Sequence, residues 1–310
     1  MNAPSEALKP HIVIIADDER DIHTVTEVSL RSLSYQGRRI EFVAAYSGAE
    51  AVEAVRANPT AAVILLDVVM ENDHAGLDAC RAIRNELGND FIRILLRTGQ
   101  PGVAPERTVI RDYDIDGYLP KSELTSMRLF TAVRTSIKAN VELMELERHR
   151  KTLAAIHDCA ASLRSYEPIE VSLERILATA HQICPCKLAV LMLETVGVQG
   201  APQRYFLHES EGDAVASELA AEKVRGQIAA DPSLRASDKP TATGDGYLIP
   251  MKLEHGMGAG WIYLSTPEPD QLARHSLPML SMHGINVLYA TLTQAALSQQ
   301  DRMSFDYVAV

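Results

Sequence analysis

The stretch Ala61 to Met70, AAVILLDVVM, limits what this chain can become more than any other: an apolar run broken by a single carboxylate, Asp67. Pro59 precedes it and the polar Glu71-Asn72-Asp73 follows. A Val/Ile/Leu run of this kind reads as a strand buried on both faces, which a parallel sheet covered by helices requires. An aspartate closing such a strand lies at the carboxyl edge of the sheet, where open α/β sheets gather their chemistry. Alone, Asp67 reads more simply as a cap for the helix that follows. Its partners along the chain decide otherwise.

His11 to Ala16 predicts a first strand that runs into Asp17, Asp18 and Glu19, then a helix with apolar positions Ile22, Val25, Val28 and Leu33. The acidic start of that helix suits its dipole. Ile40 to Ala45 predicts the next strand, Ser47 an N-cap, and Ala49 to Ala57 a helix stopped by Asn58-Pro59. After the Asp67 strand come a helix from about Ala75 to Leu87 closed by Gly88, and a strand from Phe91 to Leu96 that ends at Arg97-Thr98-Gly99. A Pro/Gly-rich loop, a helix through Thr108 to Tyr113 and a short strand, Gly117 to Leu119, deliver Pro120 and Lys121. This alternation predicts an α/β fold, a five-stranded doubly wound parallel sheet with right-handed crossovers. Its strand ends share one edge, so Asp17, Asp18, Asp67, Thr98 and Lys121 converge.

Clustered carboxylates repel one another and call for a cation, and a few hard oxygen ligands with room for water suit Mg²⁺. Asp18 and Asp67 are the expected direct ligands, with Asp17 acting directly or through water and the Val69 backbone carbonyl completing the set. Metal and Lys121 together neutralise the oxygens of a transferred phosphoryl group, Thr98 donates a hydrogen bond, and Asp67 attacks in line.

With these residues the segment Pro10 to Asn140 resembles the receiver domain of two-component response regulators, whose fold is flavodoxin-like. The resemblance lies in paired acids after strand one, Asp67 with Met70 three later, Thr98 after strand four, and Tyr118 three before Lys121. It implies that Asp67 is the phosphoacceptor, that Tyr118 is a switch aromatic turning inward as Thr98 moves, and that a histidine kinase or phosphotransfer protein is the donor. Three positions depart from the family pattern: Glu71 stands where proline is usual, Gly76 comes one residue late, and Ser122 replaces the proline after the lysine.

Beyond Lys121 no glycine or proline occurs until Pro168. Leu146, His149, Leu153, Ile156, Ala160 and Leu163 recur at threes and fours, the spacing of a two-helix seam. This predicts either a parallel homodimer helix or a bent helix packing back on its own chain. The resulting division is a receiver at 1–124, a helical connector at 125–167 and a second domain at 168–310. That domain reads as helix (Ile169 to Ile183), strands (Lys187 to Glu194, Arg204 to His208), helix (Ala214 to Ala229), a hairpin (Gly246 to Leu253, Gly258 to Ser265) and a helix from Asp270 to about Gln299. An antiparallel sheet with helices on one face is expected. The layout resembles a GAF-type sensory domain, a kind of domain found in chains that lead into HD-GYP cyclic-di-GMP phosphodiesterase modules.

No His-Asp pair or Gly-Tyr-Pro signature of that module occurs in the sequence, so the chain reads as a non-enzyme that catalyses only its own phosphorylation and dephosphorylation. The alternatives are the regulatory part of a larger signalling enzyme, or a small-molecule sensor. A net charge of -11 argues against nucleic acid as partner, and no leader or membrane segment is evident. Four irregularly placed cysteines fit a reduced, cytoplasmic protein. His181, Cys184 and Cys186 form an H-x-x-C-x-C element that reads either as ordinary packing or as a metal or redox site. Trp261 and Tyr263 share one strand face, either outward toward a partner or inward around a pocket.

Overall fold

The structure, a computed structural model, describes residues 9–99, 113–163, 167–196, 202–210, 214–253 and 256–306. The chain divides into two compact units, Met1–Glu147 and Arg148–Val310.

The first unit is built on strands β1 (His11–Ala16), β2 (Ser34–Tyr35), β3 (Arg38–Ala45), β4 (Val63–Asp67), β5 (Arg93–Thr98) and β6 (Gly117–Pro120), in the order β2-β3-β1-β4-β5-β6. Apart from the β2 hairpin all pairings are parallel. This is the flavodoxin-like doubly wound order, with the switch point between β1 and β4. Every residue of β4 is buried, as expected of a strand covered on both faces. Ile14, Ile64, Ile94 and Leu96 pack on one side and Val13, Ile15, Leu65 and Leu95 on the other. The hairpin is an addition to the sequence reading. Gln36 and Gly37 both adopt positive φ, 50° and 73°, the two-residue turn whose twist matches paired strands.

Helix α1 (Arg20–Leu30) turns a different face inward from the one its aliphatic residues suggest. His23, Thr26 and Leu30 are buried, whereas Val25 and Val28 are 62% and 69% exposed. The buried face meets the polar edge of the sheet, where hydrogen-bonding side chains serve better than methyls. Ser47 caps α2 (Gly48–Ala57) through the Glu50 amide, as expected. Helix α3 (Ala75–Arg81) continues as a wider π turn, Ala82–Glu86, that ends before Gly88 at φ 60°. Arg84 on this turn donates to the carbonyls of Asn89, Ile92 and Asp114. The helix expected through Thr108 to Tyr113 falls mostly outside the described residues.

Helix α4 spans Ser126–Ser162, 37 residues, or about 55 Å at 1.5 Å per residue. Leu129, Val133, Ile137 and Asn140 form its buried face in the first unit, where the Asn140 amide donates to Phe91 O at 2.9 Å. Thr152, Ile156, Cys159 and Leu163 form the buried face in the second. The apolar stripe expected as one seam is therefore divided. Ile156 and Leu163 are covered by the chain's own second domain, while Leu146 and Leu153 are 64% and 56% exposed.

The second unit adds α5 (Ile169–Ile183), β7 (Leu188–Val196), β8 (Pro202–Ser210), α6 (Ala214–Ala230), α7 (Pro232–Ala236), β9 (Thr241–Ala242), β10 (Tyr247–Leu253), β11 (Gly258–Leu264) and α8 (Gln271–Asp306). Its sheet is wholly antiparallel, ordered β8-β7-β11-β10-β9. Helices cover both faces rather than one. Leu191, Ile249 and Ile262 face α5 and α8, while Val190, Leu248, Trp261 and Tyr263 face Val224 and Ile228 of α6. The cause is that these central strands are apolar on both sides, which a one-sided arrangement would leave wet. Trp261 and Tyr263 thus point inward. No described helix is long and apolar enough to cross a membrane.

Candidate functional site

The carboxyl edge of the parallel sheet gathers the acids. Asp17 follows β1, and its amide extends the ladder by donating to Ala45 O at 3.1 Å. Asp67 closes β4. One carboxylate oxygen each from Asp17, Asp18 and Asp67 lie within 4.8 Å of one another, and among the described residues no other trio of potential ligands does so. Asp17 and Asp67 are buried and Asp18 is exposed. Lys121, delivered by β6, places Nζ 2.7 Å from Asp67 Oδ2, 3.1 Å from Asp17 Oδ2 and 3.8 Å from Glu19 Oε1.

The site's charge is incompletely compensated. Burial pushes the Asp67 carboxyl above its ordinary value; the Lys121 hydrogen bond and charge oppose this, Asp17 adds to it, and the Val69 amide opposes it. Burial alone would lower the Lys121 pKa, but Asp67 and Asp17 outweigh it and the ammonium is held above its usual range. Buried Asp67 Oδ1 has no hydrogen-bond partner, and buried Asp17 Oδ2 has only the Lys121 ammonium beside it, at 3.1 Å. Two under-satisfied, buried carboxylate oxygens beside an exposed third acid form an all-oxygen donor set that fits a small hard cation.

The neighbouring loops explain two of the three departures from the family pattern. Both Glu71 carboxylate oxygens accept from the Gly48 amide at 3.1 Å, so this acid fixes the loop after Asp67 to the start of α2. Gly76 is where α3 approaches β4: a Cβ there would stand 1.9 Å from Asp67 O, and the Gly76 amide donates to Val68 O at 3.1 Å. Thr98 ends β5, buried, one residue past Arg97, the register partner of Asp67. Tyr118 on β6 is half-buried against the core that holds Leu96 and Ile115.

Sequence reasoning overlooked Arg97, His23 and Thr26. Arg97 is 5% exposed, and its Nη1 donates to Thr26 Oγ1 at 3.1 Å. His23 Nε2 lies 2.7 Å from Asp17 O, and its ring packs at a tilt of 35° against Tyr46, with centroids 4.7 Å apart. A charged residue directly after the apolar run Ile94-Leu95-Leu96 was the available signal for Arg97.

Among its described residues the second unit shows no such convergence. His181 is turned to the Cys186 carbonyl (2.8 Å) and to Glu209 (3.5 Å), and Cys186 Sγ to Leu188 O (3.2 Å). Burial, with the nearby Cys186 and Asp270, pushes the Cys184 thiol up to about 11, against the influence of Arg148. These groups are engaged in packing and backbone contacts, not gathered around a common point.

Comparison with known proteins then identifies the first segment. Residues 13–134 match the response regulator receiver domain. This segment is a receiver domain. The chain is also 36% identical over 162 residues to the 3'3'-cGAMP-specific phosphodiesterase 2 of Vibrio cholerae, covering 52% of this chain and 31% of that protein. Such a span is too long to fit within residues 1–134, so part of the similarity lies beyond residue 134. The chain spans about a third of the length of that curated relative. Among solved structures, the receiver resembles a response regulator receiver domain protein of Clostridium thermocellum (20% identity, TM-score 0.37, 43% of this chain and 98% of that one). It also resembles the receiver of an HD domain-containing protein of Pseudomonas fluorescens Pf-5 (16% identity, TM-score 0.36, 43% and 98%).

The Vibrio relative corrects the reading of the chain as a non-enzyme. That reading rested on signatures missing from 310 residues, and the shared part is 31% of a protein that is itself named as an enzyme.

Proposed function

We propose that this chain is the phosphate-accepting regulatory part of a signalling enzyme, a phosphodiesterase acting on cyclic dinucleotides. Its receiver takes a phosphoryl group onto Asp67 from a histidine kinase or phosphotransfer protein in the cytoplasm. The observation that carries the reading is the Lys121 ammonium 2.7 Å from Asp67 Oδ2, with Asp17 and Asp18 beside it at one sheet edge. The Vibrio relative supports the kind of enzyme.

In the proposed step an Asp67 carboxylate oxygen forms the new bond to phosphorus as the phosphorus–nitrogen bond of the donor's phosphohistidine breaks. The leaving imidazole keeps that electron pair and takes up a proton. Lys121 pairs with the phosphoryl oxygens, and the Thr98 hydroxyl donates to one of them. Asp17, Asp18, Asp67 and the Val69 carbonyl would hold Mg²⁺, which when bound neutralises the developing charge. Movement of Thr98 then lets Tyr118 turn inward.

The change travels along α4 from a receiver at 1–124, through a connector at 125–167, to a GAF-like domain at 168–310. Leu146 and Leu153, seven residues apart and exposed, support a homodimer through this helix. A second reading, a small-molecule sensor, is favoured by a cavity of about 320 Å³ lined by Phe206, Arg225, Ile228 and Trp261. The test of the main reading is the mass in solution with Mg²⁺ and beryllofluoride. Wild type should change its association state and Asp67→Asn should not; identical behaviour would refute it.

A further inference from the structure

Arg97 is the most unusual residue of the site. Ile15, Leu65 and Leu95 pack together on the α1 face of the sheet. Counting two residues further along each chain segment, Asp17, Asp67 and Arg97 continue that same face at the carboxyl edge. Arg97 and Asp67 are also register partners on adjacent strands. Yet the guanidinium makes no ion pair among the described residues. It gives Nη1 to Thr26 Oγ1 at 3.1 Å and leaves its buried Nε without a partner. A leucine, as at position 95, would fill this face more cheaply, because a buried unpaired charge costs several kcal/mol. The surrounding acids are what make a cation tolerable here. Their influence raises the Arg97 pKa against the larger lowering effect of burial, and an arginine remains charged throughout.

We infer that Arg97 is a positioning residue of the phosphoryl site: a resident cation that weakens divalent-metal binding at rest and stabilises the additional negative charge when Asp67 is modified. The inference rests on the phosphoryl-accepting reading of the site. Four carboxylates, Asp17, Asp18, Glu19 and Asp67, share this edge with two cations, Lys121 and Arg97. An arriving divalent cation is attracted by the acids and repelled by Arg97. A phosphoryl group on Asp67 replaces one negative charge with two and is attracted to it. The two ligands must therefore respond to the loss of Arg97 in opposite directions. A residue that merely ties β5 to α1 would weaken both together. Thr26, on the unexpectedly polar face of α1, supplies the hydroxyl that holds the guanidinium in place.

The test is calorimetric titration of the full chain, first with Mg²⁺ alone and then with beryllofluoride at saturating Mg²⁺, for wild type, Arg97→Met and Arg97→Lys. Arg97→Met should bind Mg²⁺ about tenfold or more tightly, and beryllofluoride about tenfold or more weakly, the scale of one unit charge at close range in a partly shielded site. Arg97→Lys, which keeps the charge, should stay within about threefold of wild type for both. If Arg97→Met does not fold, Arg97→Gln is read in its place. An Mg²⁺ affinity unchanged in the neutral variant, a parallel weakening of both ligands, or a lysine variant that behaves like methionine would overturn the inference. A wild type that binds neither ligand would instead overturn the phosphoryl-site reading, and this inference with it.

Discussion

The two sheets of this chain handle polar residues in opposite ways. In the receiver the five parallel strands end at the same edge, so Asp17, Asp67 and Lys121, scattered over more than a hundred positions, become neighbours. In the second domain the strands are antiparallel and successive ends lie on opposite edges. There His181, Cys184 and Cys186, within six positions of one another, do not assemble around a common point. Closeness in sequence counts for less than the direction of the strands. A parallel sheet concentrates chemistry, and an antiparallel one covered on both faces concentrates packing.

The largest expected effect breaks the convergence itself. Lys121→Ala removes the one cation that, among the described residues, contacts both buried acids. It should cut phosphorylation from a small phosphodonor by about 10²-fold while circular dichroism stays native; a collapsed protein would give the lysine a structural role instead. Next come paired core substitutions, followed by urea unfolding. Gly76→Ala forces a methyl against Asp67 O, and should cost about 3 kcal/mol in the receiver and weaken Mg²⁺ binding. Leu191→Ala, in the buried centre of the second sheet, should cost a similar amount, about 3 kcal/mol, and leave Mg²⁺ binding unchanged.

Mg²⁺ itself should separate the domains in a thermal scan. At about a hundred times its dissociation constant it should stabilise the receiver by about 2.7 kcal/mol, leave the second domain's transition unmoved, and be reversed by chelation. The smallest effect is one the domains share. Burial raises the thiols of Cys80 and Cys184 from 9.0 to about 11. A folded state that disfavours the thiolate is stabilised below the unfolded thiol's pKa and loses that advantage as pH rises toward the folded value. Urea midpoints of both domains should therefore fall between about pH 9 and pH 11, and Cys80→Ala and Cys184→Ala should each flatten the fall in its own domain.

The receiver was largely legible because its signals are local and ordered: apolar runs of strand length, each ending in a chemically distinctive residue. The face of α1 was not. Val25 and Val28 suggested a conventional apolar stripe, but the helix turns His23 and Thr26 toward the acids and Arg97. A polar interior face obeys the site, which is assembled from distant segments and leaves no periodicity in the helix. The π turn around Arg84 and the role of Glu71 were hidden for the same reason, since each is defined by partners far along the chain. In the second domain the element order was readable, but its layering was not. Strands apolar on both sides demanded a second cover, and α6 provides it.

One measurement bears most directly on the central claim that these distant residues form a phosphoryl-accepting site. Intact-protein mass spectrometry after incubation with Mg²⁺ and a small phosphodonor should show wild type gaining one phosphoryl group, and Asp67→Asn gaining none. Equal gain in both proteins, or none in wild type with Mg²⁺ bound, would contradict it.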